Sequence, residues 1–292
     1  MHIPNVGFNH QQSNQSEFQI INLADLYQRS DLNPDPQTPH RVSFFLFVII
    51  ETGSGYHMVD FEQYAYQPGS VIFIQREQVH QFDFTHQPTG KVILFTQAFL
   101  DQIHANMRLP NYTPTHLNQH HSPLFELTGD QGRSFTTLLN ELITELARTD
   151  KDPLISMYLF STLALILHRI RPDMRHDKLS SQQSVRLARF FELLQSNGQK
   201  VRDANWYATQ INTTYKTLNQ ICKLAANLTA KQMIDAYTII EIKRQLVVTN
   251  ITTAQIAYDF GFEDVSNFVK YFKNLTKQTP AQFQKQYQSP KV

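Results

Sequence analysis

The chain has 292 residues, 41% of them hydrophobic and 17% charged, with a formal net charge of +1. That is the composition of a folded globular protein with room for two domains, and it excludes a disordered or fibrous chain. One cysteine, Cys222, excludes an internal disulfide framework and suits a reducing cytoplasm.

The first residues, MHIPNVGFNHQQSNQS, lack the basic-then-apolar plan of a signal peptide. The small net charge conceals an asymmetry. From Lys178 onward there are 15 basic against 7 acidic side chains, an excess of 8, so the remainder carries 11 basic and 18 acidic ones. A basic module joined to an acidic one suggests a C-terminal part that meets a polyanion. The seam is expected in the polar stretch HDKLSSQQS, residues 176–184.

In chain order, residues 1–39 are polar and proline-dotted and read as a loose arm. From His40 to about Phe95 short aromatic and β-branched runs alternate with Gly53-Ser54-Gly55, Pro68-Gly69 and Pro88-Thr89-Gly90, the pattern of a small β-sandwich or barrel. Phe135, Leu138, Leu139, Leu142, Ile143 and Leu146 then form a stripe at helical spacing. Pro153 opens a second helix, LISMYLFSTLALILHRIR, apolar nearly all round. Its apolar run from Leu154 to Leu167 is shorter than a membrane span and broken by Ser156, Ser161 and Thr162, so it reads as a core helix with no membrane role. The pair over 135–171 is the candidate homodimer element, with Leu138, Leu142 and Leu146 at the seam.

From Ser184 the chain reads as helix after helix. SVRLARFFELLQSNG ends at Asn197-Gly198, Asp203 can cap ANWYATQI, and Thr214 can cap YKTLNQICKLAA. Thr229 with Gln232, and Thr252 with Gln255, have the spacing of capping boxes, the first opening a long helix from Ala230. Pro280 starts the last helix. Two stretches repeat: Leu218, Ile221 and Cys222 return as Phe268, Tyr271 and Phe272, an offset of 50. The pattern is a duplicated helix–turn–helix. Gly261 supplies the positive φ that ends one helix and Asp264 caps the next; in the first copy Asn212 and Thr214 fill these places. Asp259-Phe260-Gly261 is therefore a helix end and not the magnesium-holding tripeptide of a kinase. The glycine-rich loop and the long segment after it that a kinase needs are both missing.

The stretch ITTAQIAYDFGFEDVSNFVKYFKNLTKQTPAQF resembles the C-terminal signature of the AraC/XylS family of bacterial transcription regulators, and the likeness extends over Ser184–Tyr287. It implies an α+β protein of two domains: a cupin-like β-barrel with a helical pair over 40–176, and an all-α DNA-binding domain over 184–288 in which a long helix joins two helix–turn–helix units. The implied function is sequence-specific regulation of transcription, with double-stranded operator DNA, a small-molecule effector and RNA polymerase as partners. Matching the family's base-reading positions selects Lys216, Asn219 and Gln220, then Ser266, Asn267 and Lys270, with Lys223 and Lys273 placed for phosphates. Asn and Gln can pair with adenine and Lys with guanine.

In the N-terminal part, Gly53-Ser54-Gly55, Pro68-Gly69 and His80 resemble features of the family's effector domain. His57, Arg76 and His80 are the candidate effector contacts. The His116…His120-His121 tract reads as a polar loop, and no cofactor, metal or catalytic residue is assigned. An effector-independent repressor or architectural protein, or a cupin enzyme fused to a DNA-binding module, are the alternatives.

Overall fold

A computed structural model describes residues 5–8, 17–28, 34–106, 122–170, 179–248 and 251–288. The chain divides into two compact units, one built mainly from Pro4–Leu109 with Ser122–Arg175 and the other from His176–Val292.

The first unit opens with β1 (Asn5–Val6), β2 (Phe18–Asn22) and α1 (Ala24–Gln28). The strands β3 (His40–Val42), β4 (Phe45–Thr52), β5 (Gly55–Val59), β6 (Glu62–Tyr66), β7 (Ser70–Ile74), β8 (Val79–Phe82) and β9 (Thr89–Phe95) follow. Helix α2 (Gln97–Asn106), β10 (Leu124–Glu126), α3 (Gly129–Ala147) and α4 (Pro153–Ile170) complete it. The strands form two five-stranded sheets, ordered β1-β3-β8-β5-β6 and β10-β7-β4-β9-β2, rather than one closed ring. Among the described residues every pairing is antiparallel except β1 with β3.

The expectation of a loose arm over 1–39 needs correction. Phe18–Asn22 pairs along its length with β9, and Leu23 is buried. Five residues, FQIIN, are too few to show a strand period against a polar background, and the pairing is made with a strand far along the chain.

The run Phe45–Ile50 is buried on both faces, which explains its continuous apolar reading. Leu46, Val48 and Ile50 meet Val42, Val59 and Phe82 of the opposite sheet. Phe45 and Phe47 point the other way and stack on Phe73 and Phe95. Phe160 of α4 caps this second face, 4.9 Å from Phe95, 5.3 Å from Phe18 and 5.3 Å from Phe99 between ring centroids. Burying such a ring contributes about 1.5–3 kcal/mol. Helix α4 is the one helix among the described residues long and apolar enough to cross a membrane by length and composition, with 39% of it buried in the fold. Its covered side holds Met157, Phe160, Leu163 and Leu167, while Leu154, Ile155, Tyr158 and Leu165 remain exposed. Leu142, expected at a dimer seam, is fully buried within its own unit, and Leu138 and Leu146 are half-buried.

Among its described residues the second unit is all helix: α5 (Ser181–Asn197), α6 (Ala204–Gln210), α7 (Tyr215–Ala226), α8 (Ala230–Val248), α9 (Thr253–Asp259), α10 (Val265–Thr276) and α11 (Pro280–Gln288). A capping box at Ser180 and Gln183 starts α5, three residues before the expected start at Ser184. Reciprocal bonds between Thr229 and Gln232 open α8, and the same pair of bonds between Thr279 and Gln282 opens α11. At α9 only half of the box forms, because the Gln255 amide turns to Asp259. Helix α8 is buried on several sides. Ala230, Met233, Ile234, Tyr237 and Ile240 enter the core of the first helix–turn–helix, and α8 also packs against α9, α10 and α11.

Candidate nucleic-acid interface

In the first helix–turn–helix, α6 ends at Asn212 with φ 53°, and the side chain of Thr214 caps α7 by accepting from the Thr217 amide at 3.1 Å. In the second, α9 ends at Gly261 with φ 68°, and Asp264 caps α10 by accepting from the Ser266 amide at 2.5 Å. Both turns use the left-handed conformation that only glycine and asparagine reach at low cost. Leu218, Ile221 and Cys222 of α7 are fully buried, as are Phe268 and Phe272 of α10. Phe262 packs the corner, 5.3 Å from both Phe268 and Tyr271. Burial pushes the Cys222 thiol up to about 12, so it is a core residue and not a reactive one.

These buried faces fix what points outward. Lys216, Gln220 and Lys223 are exposed on α7; Ser266, Asn267, Lys270 and Lys273 are exposed on α10. The two helices align in sequence at the 50-residue offset, so Gln220 corresponds to Lys270 and Lys223 to Lys273. Asn219 differs from the rest. It is half-buried, and its Oδ1 accepts from the Ala230 amide at 2.9 Å, capping the start of α8. A bidentate pairing with adenine needs both Oδ1 and Nδ2, and Oδ1 is already engaged. The corresponding positions in the second unit are Val269 and Pro280: no acceptor is offered and no N–H is there to need one.

The effector candidates separate. Arg76 is exposed in the turn between β7 and β8, whereas His57 and His80 are buried with 1% exposure each. Period-two alternation places His57 with Val59 and His80 with Phe82, facing the opposite sheet. His40, on the same face as Val42, joins them from β3. Its ring centroid lies 4.2 Å from that of His80, and His57 lies 5.4 Å from His80. Sequence reasoning left His40 out, although its position two residues before the core residue Val42 was the available signal.

The His40 Nδ1 faces the Thr38 carbonyl at 2.9 Å, while His57 Nε2 and both nitrogens of His80 are buried without a partner. Burial, reinforced by His40, pushes His57 down to about 3. Burial also lowers His80, with His40 and His57 adding to it, and lowers His40 against the support of the Thr38 carbonyl and Asp35. The cluster is thus neutral, apolar-walled and short of hydrogen-bond partners. Among the described residues, no group of three His, Cys, Asp or Glu side chains could hold a metal ion. His116, His120 and His121 lie outside the described residues.

A β-sandwich with a buried polar cluster, joined to a basic helical unit with two exposed recognition helices, defines a ligand-binding regulator that docks on DNA. Comparison with known proteins agrees at both ends: residues 30–163 match the AraC-like ligand binding domain and 207–286 match a helix-turn-helix domain. The chain belongs to the AraC/XylS family of transcription regulators.

Its relatives include the HTH-type transcriptional activator RhaS of Pectobacterium carotovorum, 23% identical over 261 residues, covering 84% of this chain and 89% of the relative. RhaS of Yersinia pestis is 20% identical over 247 residues, covering 85% and 89%. Among solved structures, ToxT of Vibrio cholerae aligns over 94% of this chain and all of its own, with 13% identity and a TM-score of 0.45.

Proposed function

We propose that the protein is a cytoplasmic, effector-controlled regulator whose helices α7 and α10 read successive major grooves on one face of operator DNA. The observation that carries this reading is the duplicated geometry. Two helices with the same buried face and the same capped start present polar side chains outward from a domain rich in basic residues. Lys216 and Gln220 on α7, and Ser266, Asn267 and Lys270 on α10, supply base contacts; Lys223 and Lys273 meet phosphates. Asn219 serves chiefly as the cap of α8. Selection of bound duplexes from a random library, repeated at two salt concentrations, tests this. A recovered consensus with two blocks about one helical turn apart is expected. Recovery of no sequence preference leaves only nonspecific binding and removes the proposal.

The effector is a small molecule bound between the two sheets, where its polar groups satisfy His57, His80 and His40. Two buried imidazoles, His57 and His80, with three unpartnered nitrogens between them are costly, at about 1–3 kcal/mol for each orphaned group. A metabolite screen by thermal melting, with His80→Gln as control, checks the site. A hit that stabilises both proteins equally places the effector elsewhere. The cluster also sets a pH dependence. The folded-state values lie below the free value of about 6.5, so the unfolded chain binds more protons at acid pH. Stability is full above about pH 6.5 and falls as pH drops through the lowered values, which for His57 reaches about 3, with a slope of about 1.4 kcal/mol per pH unit for each extra proton the unfolded chain binds.

The chain acts as a homodimer through α3 and α4. The exposed apolar stripe Leu154, Ile155, Tyr158 and Leu165 supports α4 as the seam in place of the buried Leu142. Sedimentation of the full chain gives a dimer in this account, and Tyr158→Asp gives a monomer. Transcription is then controlled through contact with RNA polymerase.

A further inference from the structure

The loop between α5 and α6 leads by sequence into the first helix–turn–helix, yet one of its charged residues, Arg202, reaches the second. The Arg202 guanidinium donates through Nη1 to the Phe260 carbonyl and through Nη2 to the Gly261 carbonyl, the latter at 3.3 Å. These are carbonyls at the C-terminal end of α9, left without intrahelical partners, where the helix dipole favours a cation. The same guanidinium lies 3.9 Å over the ring of Phe262 and 5.9 Å from that of Tyr271. Arg is suited to this place because its planar fork can bond two oxygens while stacking on an aromatic face; lysine can do neither equally well. A side chain at Gly261 would stand 3.4 Å from the Lys200 carbonyl oxygen, in ordinary van der Waals contact with this loop.

The loop is itself held. Thr238 of α8 donates to the Gly198 carbonyl at 3.3 Å, and Tyr207 of α6 donates to the Val201 carbonyl at 2.9 Å. A second tie runs beside it. Tyr271 of α10 donates to Asp235 of α8 at 2.7 Å, and Lys231 pairs with the same carboxylate. Helix α8 is meanwhile buried in the core of the first helix–turn–helix. Two connections therefore join the first helix–turn–helix to the turn and to the recognition helix of the second.

We infer that Arg202 is a positioning residue that locks the two helix–turn–helix units into one rigid reading head, so that it sets the spacing between the two half-sites the protein accepts. The inference rests on the DNA-binding reading above. A chain with two units free to swivel tolerates variable spacing, while a locked pair does not. Changing the spacing by one base pair moves a half-site by roughly 3.4 Å and a tenth of a turn, enough to take one recognition helix out of register. Arg202 touches no base in this account. Its effect shows in spacing tolerance rather than in base choice.

The test uses the full chain and a duplex selected with it. Affinity is measured on that duplex and on versions with one base pair inserted or removed between the two blocks. The wild-type protein is expected to lose at least about tenfold on either change. In Arg202→Ala the penalty falls to about threefold or less while base preferences within each block persist, and Arg202→Lys lies between the two. Tyr271→Phe, which keeps the ring and removes the bond to Asp235, gives a second variant with a smaller relaxation if Arg202→Ala fails to fold. Folded variants that bind every spacing more weakly by the same factor would overturn the inference, as would a wild-type protein indifferent to spacing. Selection of no duplex at all would instead remove the DNA-binding reading, and this inference with it.

Discussion

The two helix–turn–helix units share a backbone plan and solve its local problems with different residues. The first ends α6 on Asn212 where the second ends α9 on Gly261, and caps with Thr214 where the second uses Asp264. The first fills its core with Leu218, Ile221 and Cys222; the second uses Phe268 and Phe272 with Tyr271 beside them. Most instructive is the start of the third helix. Ala230 has an N–H that must be satisfied, and Asn219 satisfies it; Pro280 has none, and Val269 stands at the position equivalent to Asn219. A polar residue on a recognition helix can thus belong to the fold, and the partner copy shows which ones do. Position 219 is answered by an apolar residue, whereas Lys216, Gln220 and Lys223 are answered by Ser266, Lys270 and Lys273.

The comparison can be broken first in the cores. Phe268→Ala is expected to destabilise the protein by about 3–5 kcal/mol and Leu218→Ala by about 2–5, read from urea unfolding. A loss under 1 kcal/mol at either site would mean that the unit does not depend on that core. Next come the exposed equivalents. Lys270→Ala and Gln220→Ala should each weaken specific binding by about 1–3 kcal/mol with unfolding unchanged; equal losses on random DNA would turn that residue into a phosphate contact. The turns give a smaller difference. Gly261→Ala places a side chain at φ 68° and should cost about 1–2 kcal/mol, whereas Asn212→Gly should be near neutral. Smallest is the cap: Asn219→Ala costs about 1 kcal/mol of stability, and that cost disappears in an Ala230→Pro background. A cycle showing no coupling would return Asn219 to the base-reading set.

Much of the helical domain was legible in the sequence because its signals are local. Caps at Thr214, Asp264 and Thr229 and the left-handed positions at Asn212 and Gly261 are written within a few residues of where they act. Strand β2 was not legible, because it is defined by a partner more than 60 residues away and carries no period of its own. The histidine cluster was half legible. His57 and His80 stood out as polar residues among aromatics, but His40 converges on them only through the β3–β8 pairing. Arg202 gave no local sign at all, since its partners lie 58 and 59 positions further along the chain. Asn219 looked like a base reader for a good reason: its face of α7 is the correct one, and only the approach of α8 commits its oxygen elsewhere.

The central claim is that both units read bases at once. Base-by-base interference footprinting on a selected operator tests it most directly, with the full chain and with two double variants. Two blocks of base contacts about one helical turn apart are expected. Lys216→Ala with Gln220→Ala should erase one block, and Asn267→Ala with Lys270→Ala the other. A single block, unchanged by the substitutions in α7, would contradict it.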